Sequence, residues 1–237
     1  MSVPHNPKYI HHKNSSIINS MREVVFGMED GMVSTLGAIT GVALAVDDRS
    51  IILLTGFVIV AVESISMATG SYISSKSLRA IDEQKLREEL EEVHNYPEEE
   101  KKELITMYTA DGWSPPLAKQ MAEEASRNKE LFLNEMALRE LHIFPNELNH
   151  PFKDGFMMGI SYIIGGSIPI IPYIFGSTPQ ITTFSILFTF ITLFGLGAAI
   201  SYYSKRAWWK SGFELLLLAG FATLVGYAIG QITTWLM

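Results

Sequence analysis

Three carboxylates lie within stretches of sequence that are otherwise apolar enough to enter a lipid bilayer. Glu29 and Asp30 interrupt the first apolar run, residues 24–46. Glu63 lies near the centre of the second run, residues 50–75. An ionised side chain at membrane depth costs about 2.5–3.5 kcal/mol on insertion scales, so it normally faces a protein interior or an aqueous path. Neither run contains Lys, Arg or His, and the three acids are therefore expected to form an anionic site that binds a cation.

The positions of an acid and a thioether indicate which cations the site would prefer. Asp30 lies eight residues after Arg22, and Met67 lies nine residues before Lys76. Antiparallel helices would place both side chains about 12 Å inside the same membrane edge, with Glu63 one turn from Met67 on one helix face. Carboxylate oxygens with a thioether favour Fe(II) and its neighbours over Mg(II) or Ca(II). Simple packing is the alternative role for Met67.

The distribution of charge predicts an all-α membrane protein with five transmembrane helices. Besides the two runs above, residues 155–175, 181–204 and 215–237 carry no charge. Each stretch is long enough to cross a hydrocarbon core of about 30 Å as a helix. We predict an N-terminal cytoplasmic segment, transmembrane helices 1 and 2, a cytoplasmic metal-binding helical module and transmembrane helices 3 to 5, at residues 1–18, 19–78, 79–150 and 151–237.

Basic residues predict the orientation of these helices, because Lys and Arg are concentrated in cytoplasmic loops. They flank the first run on its N-terminal side, follow the second run, and separate the fourth from the fifth: Lys8, Lys13, Arg22, Lys76, Arg79, Lys85, Arg87, Lys205, Arg206 and Lys210. The N-terminus and the module at 79–150 are therefore expected in the cytoplasm, and the C-terminus outside it.

The module at 79–150 is strongly acidic. It holds 17 of the 25 acidic residues and 9 of the 18 basic ones, and so accounts for the whole net charge of −7. We predict three helices: the second span continued to about residue 94, a helix that begins at Pro97, and a helix capped by Ser114 that runs to about His142. Glutamates three residues apart on the first two helices could form an all-oxygen cation cluster, or simply a solvated face: Glu89 with Glu92, and Glu100 with Glu103.

Three further features of the spans bear on packing and chemistry. Glycines four residues apart, at Gly27 and Gly31, Gly37 and Gly41, and Gly226 and Gly230, would let helices approach closely. Prolines in the third span, within residues 165–173, predict a bent helix. All six histidines lie outside the five stretches and cysteine is absent, so neither an intramembrane metalloenzyme nor a thiolate metal site is expected: His5, His11, His12, His94, His142 and His150.

These motifs together resemble the vacuolar iron transporter family, which includes vacuolar iron/manganese transporters and nodulin-like membrane proteins. The sequence Gly-Met-Glu-Asp-Gly-Met-Val-Ser at 27–34 is similar to the Asp-Gly signature of the family's first span. The sequence Glu-Ser-Ile-Ser-Met-Ala-Thr-Gly-Ser-Tyr at 63–72 resembles its second-span motif, and Gly-Gly-Ser-Ile-Pro-Ile-Ile-Pro-Tyr at 165–173 its third span. The resemblance covers the chain from about Arg22 onwards.

The resemblance implies a homodimer that exports Fe(II), or Mn(II), Co(II) or Zn(II), from the cytosol in exchange for protons. No tightly bound cofactor and no nucleic acid are implied. The family's path residues correspond to Asp30 and Met67, and its cytoplasmic metal ligands correspond to Glu89, Glu92, Glu100, Glu103, Met136 and Glu140. Ala137 stands where an iron-binding relative has glutamate, which implies a weaker cluster or fewer ions. The host membrane would be the cell membrane in a prokaryote and the vacuolar membrane in a eukaryote.

Two other readings remain open from the residues. A membrane-anchored cytosolic metal sensor would use the acidic module but would leave Asp30 and Glu63 without a role. A cation channel would use the same path without a proton requirement. Proton exchange has a physical basis, since a proton and a cation compete for the same carboxylate, and either Asp30 or Glu63 could carry the proton.

Overall fold

The computed structural model describes residues 20–145, 148–176 and 179–236 and is helical almost throughout these ranges. The expected cytoplasmic segment at 1–18, with His5, His11 and His12, lies outside them. The helices are α1 Met21–Ala45, α2 Arg49–Asn95, α3 Pro97–Ala110, α4 Pro115–Ser126, α5 Lys129–Arg139, α6 Pro151–Ile170, a 3₁₀ helix Ile171–Ile174, α7 Pro179–Ser204 and α8 Trp208–Leu236. The chain divides into two compact units, one formed by Met1–Tyr72 with Phe152–Met237 and the other by Ile73–Pro151.

Within the described ranges, four segments are long and apolar enough to cross a membrane: Arg49–Asn95, Pro151–Ile174, Pro179–Ser201 and Trp208–Ile232. They correspond to the second, third, fourth and fifth predicted spans. Helix α1 has 25 residues but does not reach the same apolarity, because Glu29 and Asp30 lie within it. A fifth span at α1 therefore stays a prediction.

Helix α1 packs against α6 and α8 through glycine, as the spacing predicted. A methyl group added at Gly31 would lie 2.5 Å from the carbonyl oxygen of Tyr162 in α6. One added at Gly41 would lie 2.9 Å from the carbonyl oxygen of Gly226 in α8. Since real Cβ atoms do not approach backbone so closely, only glycine permits these contacts. The prediction of close helix approach is confirmed.

The C-terminal end of α6 changes from α-helical to 3₁₀ geometry near its two prolines. Pro169 lies inside α6, and Pro172 lies in the 3₁₀ helix that follows. Arg49, at the start of α2, donates from Nε to the carbonyl oxygen of Tyr173 at 3.0 Å and also bonds the carbonyl oxygen of Ile174. The predicted disturbance of the third span thus takes the form of a 3₁₀ turn whose carbonyls are satisfied by a guanidinium.

In the second unit, two of the three predicted helices are confirmed, and the third begins where predicted but is wrong in its length. Helix α2 runs unbroken to Asn95, and α3 begins at Pro97 with three glutamates in its first turn. The predicted helix from Ser114 to about His142 is instead two helices, α4 and α5. Asn128 begins the second of these, since its side chain accepts from the amides of Glu130 at 3.0 Å and Leu131 at 3.2 Å. The side chain of Ser114 makes no capping hydrogen bond.

The four helical segments of this unit enclose a small apolar core that holds the end of α2 next to α3, α4 and α5. Its buried members are Val93, Leu104, Tyr108, Ala118, Ala122, Ala125, Phe132 and Met136. Small alanines line α4, which lets the helix lie close to its neighbours. The core fixes where the glutamates of α2 and α3 meet the end of α5.

Candidate metal sites

In the unit formed by Met1–Tyr72 with Phe152–Met237, here called the membrane unit, two of the predicted acids interact. Asp30 is half-buried on α1, and Glu63 is exposed on α2. The two carboxylates lie close enough for their charges to interact, and Glu29, half-buried beside Asp30, also interacts electrostatically with it. Met67 is half-buried one turn beyond Glu63 on α2. Asp30 and Glu63 therefore place two interacting carboxylates on two different helices.

Two residues near Asp30 were missed from the sequence. The hydroxyl of Ser34 lies 2.7 Å from the carbonyl oxygen of Asp30 and 2.6 Å from the hydroxyl of Tyr162. Tyr162 is fully buried on α6. Ser34 could have been suspected from its position one turn after Asp30, but nothing in the sequence signals that a tyrosine 128 residues further on would reach the same point.

The second unit forms a compact cluster from three of the predicted glutamates. One carboxylate oxygen from each of Glu89, Glu100 and Glu140 lies within 4.8 Å of the others. Glu89 comes from α2, Glu100 from the first turn of α3, and Glu140 from the residue after α5. The reversal at Tyr96 and Pro97 turns α3 back beside α2. Since oxygen ligands sit about 2.0–2.6 Å from a divalent cation, three oxygens at this separation could share one ion.

Burial sets the electrostatics of this cluster. Glu89 is 2% exposed and Glu100 is 7% exposed. Burial, followed by the charges of the neighbouring glutamates, raises the pKa of Glu89 to about 8 and the pKa of Glu100 to about 7. Burial also raises the pKa of Glu140, and the charge of Glu103 raises it further. Without a cation, the cluster holds protons near neutral pH.

The buried oxygens of the cluster are incompletely bonded. Oε1 of Glu89 and Oε2 of Glu100 have no hydrogen-bond partner among the described residues. A buried polar atom without a partner costs free energy, and an anionic one costs more. A bound cation would give these unbonded carboxylate oxygens a partner.

The basic residue next to the cluster is directed to other acids. Arg139, which precedes Glu140, pairs with Glu135 at 3.1 Å and with Asp111, and its guanidinium lies 4.4 Å from the ring centre of Tyr108. Tyr108 in turn donates to Glu135 at 2.9 Å. Burial and this hydrogen bond raise the pKa of Tyr108 to about 12. This network ties α3 to α5 and engages Arg139 away from the three glutamates.

The other predicted ligands of the module lie outside the group of three. Glu92 and Glu103 are exposed, and they act on the cluster through their charges. Met136 is fully buried in the apolar core. Its backbone carbonyl accepts a hydrogen bond from the amide of Glu140 at 2.8 Å. Ala137 is also fully buried. Metal ligation by Glu92, Glu103 and Met136 stays a prediction.

Comparison with known proteins now identifies the family. The family model described as VIT family matches residues 21–231, which is most of the chain. The chain belongs to the VIT family. It is 24% identical over 213 residues to vacuolar iron transporter 1 of Arabidopsis thaliana, which covers 90% of this chain and 85% of that protein. It is 28% identical over 224 residues to the vacuolar iron transporter of Plasmodium falciparum (isolate 3D7), with 90% and 82% covered.

A third VIT family relative is the vacuolar iron transporter of Toxoplasma gondii (strain ATCC 50861 / VEG), 28% identical over 231 residues, with 93% of this chain and 76% of that protein covered. Membership in the VIT family confirms the resemblance drawn from the motifs at 27–34, 63–72 and 165–173. Together with the four long apolar helices, it makes this chain an integral membrane protein.

Proposed function

We propose that this protein transports Fe(II), with Mn(II) as a second cargo, out of the cytosol in exchange for protons. The observation that carries the proposal is the meeting of Asp30 and Glu63, two acids within apolar helices whose charges interact. An unneutralised acid pair at membrane depth is expensive unless a cation or proton occupies it. The names of the VIT family relatives, vacuolar iron transporters, support iron as the cargo.

The proposed topology has five spans, with α1 as the first. Its two acids make α1 the least suited helix to face lipid, which supports a place for it beside a cation path within the protein. A two-fold homodimer would supply two copies of Asp30, Glu63 and Met67. A transition-metal cation prefers about six donors, and one subunit offers too few at this level. The exposed position of Glu63 on the single chain is consistent with a partner subunit there.

The acidic module is proposed to lie in the cytoplasm and to collect metal for the path. Glu89, Glu100 and Glu140 offer oxygens to one ion, and the exposed Glu92 and Glu103 add negative charge that attracts cations to it. Because the cluster binds protons near neutral pH, a metal must displace them, which keeps its affinity moderate and its exchange possible.

Proton exchange follows from competition for the same oxygens. A carboxylate that binds a cation must give up its proton, and a carboxylate that regains a proton releases the cation. A path with Asp30 and Glu63 as shared ligands can therefore couple the outward movement of one metal ion to the inward movement of protons. Either acid is able to carry the proton.

The test is metal flux in sealed proteoliposomes under reducing, anaerobic conditions. Flux of Fe(II), Mn(II), Co(II) and Zn(II) is measured with and without a pH gradient. We expect Fe(II) flux that a pH gradient accelerates and that Asp30→Asn abolishes, while Asp47→Asn, an exposed acid just beyond α1, leaves it unchanged.

Three outcomes would contradict parts of this proposal. Metal binding without flux in the unmodified protein would favour the sensor. Flux that ignores the pH gradient would favour a channel. Normal flux in the Asp30→Asn variant would remove Asp30 from the path.

A further inference from the structure

A chain of two hydroxyl groups links α6 to the backbone of α1 at Asp30. The Ser34 hydroxyl lies 2.7 Å from the carbonyl oxygen of Asp30, which can only accept. Because Ser34 has a single proton and donates it there, Tyr162 must be the donor in the 2.6 Å contact between the two hydroxyls. The order is Tyr162 to Ser34 to the Asp30 carbonyl, with each donor proton used once.

This hydroxyl chain lies beside a close contact between α1 and α6. A methyl group at Gly31 would collide with the Tyr162 carbonyl, and one at Gly165 would overlap the Met28 carbonyl. Helices α1 and α6 therefore meet backbone to backbone next to the hydroxyl chain. A serine that bonds the carbonyl four residues earlier also tends to bend its helix, so the direction of the Asp30 turn depends on where Ser34 is held.

The hydroxyl of Tyr162 also lies within the electrostatic reach of both acids of the pair, Asp30 and Glu63. Tyr162 is fully buried, and phenylalanine would fill the same space without the cost of burying a hydroxyl. The hydroxyl is thus placed where its hydrogen bond can determine how Asp30 is presented to Glu63.

We infer that Tyr162 is a positioning residue for the pair of Asp30 and Glu63, and that it acts through Ser34 and the Asp30 backbone. The inference rests on the proposed transport function. It assigns the tyrosine no contact with the metal. Tyr162 acts on the geometry of Asp30, and it therefore controls the affinity of the path for the cation.

The test compares the metal dependence of flux in variants that remove single hydroxyl groups. Tyr162→Phe should raise the KM for Fe(II) about fivefold, the value that corresponds to one neutral hydrogen bond of ordinary net strength. The maximal rate per reconstituted protein should stay within about twofold, because the acids themselves are intact. Tyr173→Phe is the matched control, since Tyr173 is equally buried in the segment that follows α6, and its KM should not change.

If Tyr162→Phe reconstitutes poorly, Ser34→Ala tests the same hydroxyl chain. It should give the same KM as Tyr162→Phe, and the double variant should be no worse than either single variant, because both interrupt one chain. An unchanged KM in Tyr162→Phe, or additive effects in the double variant, would overturn this inference. The proposed transport function would still stand if flux continued to require Asp30. Absence of flux in the unmodified protein would overturn both.

Discussion

Metal binding at the cluster of Glu89, Glu100 and Glu140 should depend steeply on pH. Burial and the neighbouring acids raise the pKa of Glu89 to about 8 and that of Glu100 to about 7. Both side chains are therefore largely protonated at pH 6 in the metal-free protein. A carboxylate must lose its proton to ligate a cation, so the apparent affinity rises with pH until both acids are ionised.

The magnitude follows from these two values. If the two protons are treated as independent, the apparent affinity should rise about 50-fold between pH 6 and pH 7 and about tenfold between pH 7 and pH 8. Above pH 8 the affinity should level off. An exposed pair of glutamates, with ordinary pKa values near 4.3, would show almost no change over the same range.

The assay is equilibrium binding of Mn(II) to the full-length protein in detergent, with free Mn(II) measured by electron paramagnetic resonance at pH 6, 7 and 8. An Asp30→Asn background removes binding at the membrane pair. Glu89→Gln should weaken binding and reduce the rise between pH 7 and pH 8 to about twofold, since only the proton of Glu100 then remains.

Glu98→Gln is the control for a general charge effect. Glu98 lies on α3 like Glu100, but it is exposed and its pKa is lowered by a hydrogen bond from Lys101. The steep dependence should persist in that variant. An affinity that changes less than about threefold from pH 6 to pH 8 in the parent, or a slope that survives Glu89→Gln, would refute the assignment of the buried cluster as the binding site.

Three other perturbations address the membrane unit. Met67→Ala should change the ratio of Fe(II) to Mg(II) flux, because it removes the soft donor. An unchanged ratio would mean that Met67 has only a packing role. Gly31→Ala should lower the free energy of unfolding by about 1–3 kcal/mol, measured by thermal melting in detergent, because its methyl group meets backbone. Gly195→Ala, where a methyl group meets nothing within 4 Å, should not. Phe26→Cys, exposed one turn before Asp30, should cross-link between subunits in native membranes, and failure along the whole exposed face of α1 would contradict the dimer.

The fold was largely predictable because its signals are local. Long apolar runs predict four of the spans, three of them free of charge and one, the second, interrupted only by Glu63. The scarcity of helix breakers after Gly70 predicts that α2 continues to Asn95. The third helix of the module was wrong for an equally local reason. A helix begins at Pro115 as predicted, but Asn128, in the middle of the predicted helix, caps a separate second helix. Apolar periodicity persists across that break, so periodicity alone hides it.

The site was predictable in residue type but not in contact. Charge at membrane depth singles out Asp30 and Glu63 without any structure. Which glutamates of the module meet depends on the reversal between α2 and α3 and on where α5 ends, and no spacing rule supplies either. Tyr162 was invisible for the same reason, since its hydroxyl matters only because close backbone contact at Gly31 brings α6 to the Asp30 turn.

Bound protons, rather than a basic side chain, offset the repulsion between the buried carboxylates of the module. In the module, protons neutralise Glu89 and Glu100 when metal is absent, as their pKa values of about 8 and about 7 require. At pH 7 this competition would lower the apparent affinity for a bound metal about 20-fold below that of the fully ionised cluster. Arg139 could have neutralised the acids permanently, but Glu135 and Asp111 engage it instead. An acidic cluster neutralised by exchangeable protons can take up and release metal, whereas one neutralised by arginine would do neither.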